Sequence, residues 1–356
     1  MSASTITGRQ RLALGAVVSG LFVLAVALLL VDGGREIAVD VAGVFTASYL
    51  GSALRLTVPI AFAAMGGIFA EKSGVINIGL EGLLIIGALS AIATNYALGL
   101  ESTPIDANPW LALLAAVLAS AFVAFLFAAV CIEFKADQII AGLAVWLIAL
   151  GAAPFVSVII WGQRNSPRVG MFSSISIPGL SALPGIGAIF SITPPVLLLL
   201  LAVPFSWFLL NRTTFGMRLE ASGEDPKSLD TAGVDVRKVR YAGVILSGIY
   251  CGIGGAGLAL NTGTFVGTGD TMIDGRGWIG LTAYLIGNYN PVGAFLASFL
   301  FAGLDALQLE LQQISTITIS STLVGIVPYV AVLVVLTFVG RTRMPSAAGE
   351  HYDSDE

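Results

Sequence analysis

Apolar stretches of about twenty residues recur along this chain, each long enough to cross the hydrocarbon core of a bilayer as a helix. They fall near 12–31, 52–70, 82–99, 110–132, 139–161, 194–210, 241–260, 291–309 and 318–340. A shorter window, 277–287, holds only 11 residues and reaches about half that thickness. Charged residues are 11% of the chain, against about 25% in a soluble domain. The chain therefore reads as an all-α polytopic membrane protein. Leu12 to Val31 has no charge and no small-residue cleavage site, and similar runs follow, so it reads as a retained helix.

Cytoplasmic loops collect Lys and Arg, which orients the spans. Arg9 and Arg11 precede the first, Arg341 and Arg343 follow the last, and Arg212, Arg218, Lys227, Arg237, Lys238 and Arg240 crowd the 211–240 loop. All three sites are expected in the cytoplasm. Six spans separate the first from the second. Three full spans and the short window separate the second from the third, so parity requires the short window to cross. The expectation is ten crossings with both termini inside, and an external loop at 162–193 despite Arg164 and Arg168.

The segment Glu71-Lys72-Ser73-Gly74-Val75-Ile76-Asn77-Ile78-Gly79-Leu80-Glu81-Gly82 sets carboxylates and glycines between apolar runs. Lipid tolerates such a stretch only where protein buries it or where it lines a watery cavity. Its pattern Gly74-x-x-x-Ile78-Gly79-Leu80-x-x-x-Leu84-Ile85 recurs as Gly275-x-x-x-Ile279-Gly280-Leu281-x-x-x-Leu285-Ile286, offset by 201 residues. Two copies entering from opposite faces fit an inverted repeat around a midplane passage, with Glu81 and Thr282 equivalent.

Two readings of Glu81 stand together: a passage-lining or helix-positioning acid with Asn77 one helical turn away, or a carboxylate capping a neighbouring helix or paired with a buried base. Arg55, Arg276, Asp305 and Glu310 read as interfacial ion pairing in preference to a docking vestibule. Trp146, Trp278, Tyr284 and Phe301 suit stacking on a flat ligand, although aromatic belts and packing are the commoner use. Asp225 to Gly233 reads as a short helix, with Asp225 as N-cap, Pro226 in the first position and Gly233 ending it. So short a helix persists only against something else.

Several functions are excluded. Cys131 and Cys251 sit in apolar sequence as core residues, and the only histidine, His351, lies in the polar tail, so histidine catalysis and His-ligated metal are not expected. The four lysines, Lys72, Lys135, Lys227 and Lys238, follow Glu, Phe, Pro and Arg, so no phosphate-binding Gly-Lys-Ser/Thr loop exists. No catalytic residue and no metal site is expected.

Lys72 to Gly82 resembles the "ERSGVVNIGLEG" signature of permeases of nucleoside and simple-sugar ABC importers, in the branched-chain amino acid and ribose permease superfamily. Gly216 to Gly233 is similar to the "GENPxAAxxAGI" coupling segment, with Asp225 for Asn and Ser228-Leu229 for the Ala pair. Thr271 to Pro291 resembles the "GRGFIALAA…GxWxP" stretch, and Asp137 to Leu143 looks like the shorter permease of lipoprotein-fed nucleoside systems. The likeness runs from about 50 to 340.

The resemblance implies a type II-like importer permease in the cell membrane. It implies a heterodimer with a second permease, cytoplasmic ATPases that use the ATP, and an external substrate-binding lipoprotein. No cofactor in this chain and no nucleic acid are expected. Asn77, Glu81, Trp278, Thr282 and Tyr284 are then candidates for the passage, and Gly223, Glu224, Asp225, Pro226, Ala232 and Gly233 for ATPase coupling. The expected division is an N-terminal helix and external connection (1–49), a permease core (50–340, halves about 50–161 and 241–340) and an acidic cytoplasmic tail (341–356). Rival readings are an ion-coupled secondary transporter and a cargo of ribose-like sugars or branched-chain amino acids.

Overall fold

The structure is a computed structural model, and it describes residues 43, 46–100, 107–176, 191–311 and 343–352. The expected spans 12–31 and 318–340 lie outside the described residues, as do Arg9, Arg11 and Arg341. The helices are α1 (Ala47–Lys72), α2 (Leu80–Leu98), α3 (Pro109–Ile132), α4 (Gln138–Trp161), α5 (Pro194–Arg212), α6 (Thr214–Glu224), α7 (Pro226–Thr231), α8 (Val236–Thr262), α9 (Arg276–Ile286) and α10 (Pro291–Leu311). A two-residue antiparallel bridge pairs Ile175 with Ile192 and Ser176 with Ser191. Seven described helices, α1 to α5, α8 and α10, are long and apolar enough to cross a membrane. They coincide with the seven sequence windows in the described residues.

Local chemistry sets the helix starts. Asn108 accepts from the amides of Trp110 and Leu111, with Pro109 in the first position. Asp137 accepts from Ile139 and Ile140, and Asp235 from Lys238. Each satisfies amides that the first turn leaves without a helical acceptor.

Helices α1 and α8 form the centre. α8 packs along α1, α2 and α3, and α1 packs along α8, α9 and α10. Small residues allow the close approach, as is usual where lipid offers no hydrophobic drive between helices. A Cβ on Gly255 would lie 2.1 Å from the Leu84 carbonyl oxygen, and one on Gly252 2.8 Å from Val117 Cα. In contrast, α3 and α4 leave Leu118, Phe122, Phe155 and Ile159 exposed, as lipid-facing helices do.

The bundle has two distinct ends. At the basic end, Lys72 pairs with Glu220 at 3.1 Å and Arg237 with Glu133 at 3.5 Å. At the other end, Tyr49 donates to the Gly303 carbonyl at 2.9 Å. There the chain after α4 also runs beside the end of α8, with Val169 N–H on Gly263 O and Ser166 N–H on Phe265 O, both 2.8 Å.

From that far end the chain returns. Residues 264–275 are irregular, and α9 then carries the chain to the basic end, where Asn288 meets Arg343. The short window is thus an 11-residue helix preceded by open chain. The expected placement of Asn77 one turn from Glu81 is corrected: α1 stops at Lys72 and α2 starts at Leu80, with non-helical chain between. Gly74 breaks the helical path there at φ +96°. The two sequence copies also differ in structure, since 75–79 is irregular whereas 276–280 is helical.

Gly255→Val should lower the unfolding midpoint in detergent micelles, because overpacking of this kind costs about 1–3 kcal/mol. Gly151 on α4 has nothing within 4 Å of its Cβ position. Gly151→Ala should leave the midpoint unchanged or raise it, by up to about 1 kcal/mol.

Candidate functional site

The signature segment makes an irregular turn inside the bundle, and side chains satisfy its backbone. Ile76 N–H donates to Gln138 Oε1 at 2.7 Å, and Gly79 N–H to Asn77 Oδ1 at 3.0 Å. Asn77 Nδ2 donates to Ser247 Oγ on α8 at 3.1 Å. Glu81 follows in the first turn of α2 and is 2% exposed. Its Oε1 accepts from Gly275 N–H at 2.9 Å and its Oε2 from Gly277 N–H at 2.6 Å. A carboxylate is the strongest acceptor available for a helix N-terminus, where free amides and the helix dipole both favour negative charge. Glu81 thus has the helix-capping geometry that one of its two readings expected.

A second carboxylate holds the other end of α9. Glu71, in the last turn of α1 and 3% exposed, accepts from Tyr284 Oη and Tyr289 Oη, each at 2.6 Å. The half-helix is therefore gripped at both ends by acids ten residues apart in one sequence segment. Sequence reasoning quoted Glu71 without giving it a role. The available signal was an acid closing an apolar run, with two tyrosines downstream.

The other candidates fall as follows. Tyr284 is wholly buried, whereas Trp278 and Thr282 lie on the half-exposed side of α9. Trp278 meets Trp146 edge-on with ring centroids 5.4 Å apart, and Thr282 Oγ1 donates back to the Trp278 carbonyl. Phe301 is core. Among the described residues no ion pair joins Asp305 or Glu310 to Arg55 or Arg276. Arg55 instead donates to Ser52 Oγ, and Arg276 to the carbonyls of residues 272 and 273.

At the basic end, α6 and α7 form an arm. Thr213 caps α6 by accepting from Gly216 N–H. Asp225 caps α7, its Oδ1 accepting from Ser228 N–H at 3.2 Å and its Oδ2 from the Ser228 hydroxyl. Those two bonds hold the Asp225 carboxyl below the usual carboxylate range. Pro226 occupies the first position and Gly233 follows at φ +78°, as the spacing predicts, although the helix is six residues long and Ala232 is its C-cap. Only Leu229 of α7 is buried. The arm touches the signature segment directly: Ser222 Oγ donates to Ser73 O at 2.8 Å, and Gly223 lies against the Lys72 carbonyl.

Residues 343–352 strap this end. Ala347 N–H donates to Gly223 O at 2.8 Å and Gly349 N–H to Gly74 O at 3.0 Å. Ser346 Oγ donates to Glu224, Tyr352 Oη to Asp230 and Arg240 Nη1 to Glu350 O. No metal-binding group of three or more His, Cys, Asp or Glu occurs among the described residues.

Comparison with known proteins places this architecture in a family. The model of the "Branched-chain amino acid transport system / permease component" family matches residues 49–336. The guanosine ABC transporter permease protein NupQ of Bacillus subtilis is 39% identical, the alignment covering 83% of this chain and 92% of NupQ. The nucleoside ABC transporter permease protein NupC of Lactococcus lactis is 35% identical, over 83% of this chain and 93% of NupC. The putative glucose ABC transporter permease protein TsgC13 of Haloferax volcanii is 33% identical, over 76% and 80%. A second guanosine permease of B. subtilis, NupP, is 26% identical over 72% of each chain. No solved structure matches. With its seven described spans, its half-helix and this likeness along most of its length, the chain is a multi-pass membrane protein that belongs to the permease-component family of the branched-chain amino acid transport systems.

Proposed function

We propose that this protein is the passage-forming permease subunit of an ATP-driven importer of nucleosides. The observation that carries the reading is the α6–α7 arm: a capped helix with one buried side chain, standing off the bundle yet bonded to the signature segment. Such a helix suits a push from a separate ATPase seated on Gly223, Glu224, Asp225, Pro226, Ala232 and Gly233. ATP is used in that partner, and this chain carries no cofactor. The likeness to the guanosine and nucleoside permeases supports the cargo, and the glucose permease relative supports simple sugars as the second reading. An external binding lipoprotein delivers the cargo. The similarity to both NupQ and NupP supports pairing with a second, non-identical permease.

In this reading the basic end is cytoplasmic, both termini lie inside and ten segments cross, α9 with 264–275 being one of them. The core is an inverted repeat. Exchanging α1, α2 and α3 for α8, α9 and α10 turns the most extensive packed pairs into one another: α8 with α2 becomes α1 with α9, and α8 with α3 becomes α1 with α10. α1 and α8 run in opposite directions, as that symmetry requires. Trp278 and Thr282 contribute to the passage wall, while Asn77, Glu81 and Tyr284 hold it in place. Few tight contacts are expected, because a transporter must release what it carries. A push on α7 reaches the wall through Ser222, Ser73 and the carboxylates of Glu71 and Glu81 that hold α9.

The full transporter in proteoliposomes, with its binding protein outside and ATP inside, should accumulate radiolabelled guanosine. Uptake without ATP that collapses with the proton or sodium gradient would instead identify a secondary transporter. Gly233→Val should abolish uptake while leaving the amount in the membrane unchanged, since a branched residue in the left-handed conformation costs about 1–2 kcal/mol locally. Normal uptake by that variant would remove α7 from the mechanism. Glu81→Gln leaves one oxygen for two amides and should cost about 1.5–3 kcal/mol. Reduced assembly on native gels or reduced uptake is the expected result, and wild-type behaviour in both would make the cap dispensable.

A further inference from the structure

The two ends of α9 are held in chemically different ways. At its start, Glu81 binds backbone amides that have no other acceptor. At its finish, Glu71 binds two phenol hydroxyls, which can rotate and find water. The Tyr289 ring forms part of a cavity of about 240 Å³ at the basic end, lined also by Lys72, Glu220, Glu224, Asn288 and Arg343.

The turn that carries Tyr289 is strained. Asn288 and Tyr289 have φ of +51° and +57°, and the left-handed region is a true outlier for a bulky residue. Backbone bonds from Asn288 N–H to Leu285 O at 3.1 Å and from Tyr289 N–H to Tyr284 O at 3.0 Å hold the turn together with Glu71. Tyr284 lies where Gly67 leaves space, since a Cβ at residue 67 would sit 2.3 Å from its ring. The arm grips the chain beside this cluster: Glu220 pairs with Lys72 and Ser222 binds Ser73, one and two residues after Glu71.

We propose that Glu71, Tyr284 and Tyr289 are positioning residues that form a releasable latch, holding the basic end of α9 shut while the Glu81 end acts as its pivot. The inference rests on the transport reading for its purpose, but the latch can be tested without cargo. A stroke arriving through Ser222 and Glu220 acts on the two residues next to Glu71, shifts the carboxylate from the hydroxyls and frees the lower half of α9. The cavity beside Tyr289 supplies room for its freed phenol and for water to meet it.

The test uses the assembled transporter in inside-out vesicles with Cys131→Ala, Cys251→Ala and the reporter Ala283→Cys, on the buried side of α9. A membrane-impermeant maleimide is added at the basic face without ATP or substrate. Glu71→Gln and Tyr289→Phe should each speed labelling by about tenfold, the change that 1.4 kcal/mol produces. Combining them should add little further. Glu71→Asp should return the rate toward that of the parent. Unchanged labelling in Tyr289→Phe, which keeps the ring and removes one hydroxyl, would overturn the latch even if Glu71→Gln fails to assemble. Guanosine uptake measured on the same variants separates the two readings. Absent uptake in the parent with faster labelling in the variants rejects the transport reading alone. Normal uptake in the parent with unchanged labelling rejects the latch alone.

Discussion

A helix that begins inside a bundle must find partners for its first amides, and the structure turns on how α9 finds them. Lipid and packed side chains offer no acceptor, and each unpaired amide there costs more than a typical hydrogen bond contributes. Glu81 answers with two carboxylate oxygens on two amides. The arrangement works in reverse as well, because those amides are what make a buried carboxylate tolerable. It demands close approach: a Cβ on Gly277 would lie 2.5 Å from the Glu81 amide nitrogen. Charge, helix end and absent side chain thus form one unit.

The same stretch, 71–82, reaches nearly every moving part of the proposed machine. It meets α9 through Glu71 and Glu81, α8 through Asn77, α4 through Ile76 and the arm through Ser73. An irregular segment can do this because its backbone groups are free to be claimed by side chains from several directions. A continuous helix would have spent them on itself. The break at Gly74 is what turns a span into a junction.

Much of this architecture was legible from residue order. Bilayer-length apolar runs gave seven described helices to within a few residues, and Asp225, Pro226 and Gly233 gave α7 because capping is local chemistry. What escaped was long-range. The partner of Glu81 lies nearly 200 residues away, so sequence left it open between passage and cap. The bonds between Glu71 and its tyrosines were missed because hydroxyls more than 200 residues downstream leave no local pattern. The repeat was read from letters at 74–85 and 275–286, yet these letters fold differently. The inverted repeat proposed above rests instead on how whole helices pack, which no short pattern encodes.

The strap at 343–352 has a consequence for how the molecule is made. It follows every other described element in chain order, yet its amides bind carbonyls of Gly74 and Gly223, in segments completed long before. Until the strap has been made, the carbonyls of Gly74 and Gly223 lack these two donors. The clasp over the junction therefore closes on segments made well before it, and it can form only after them.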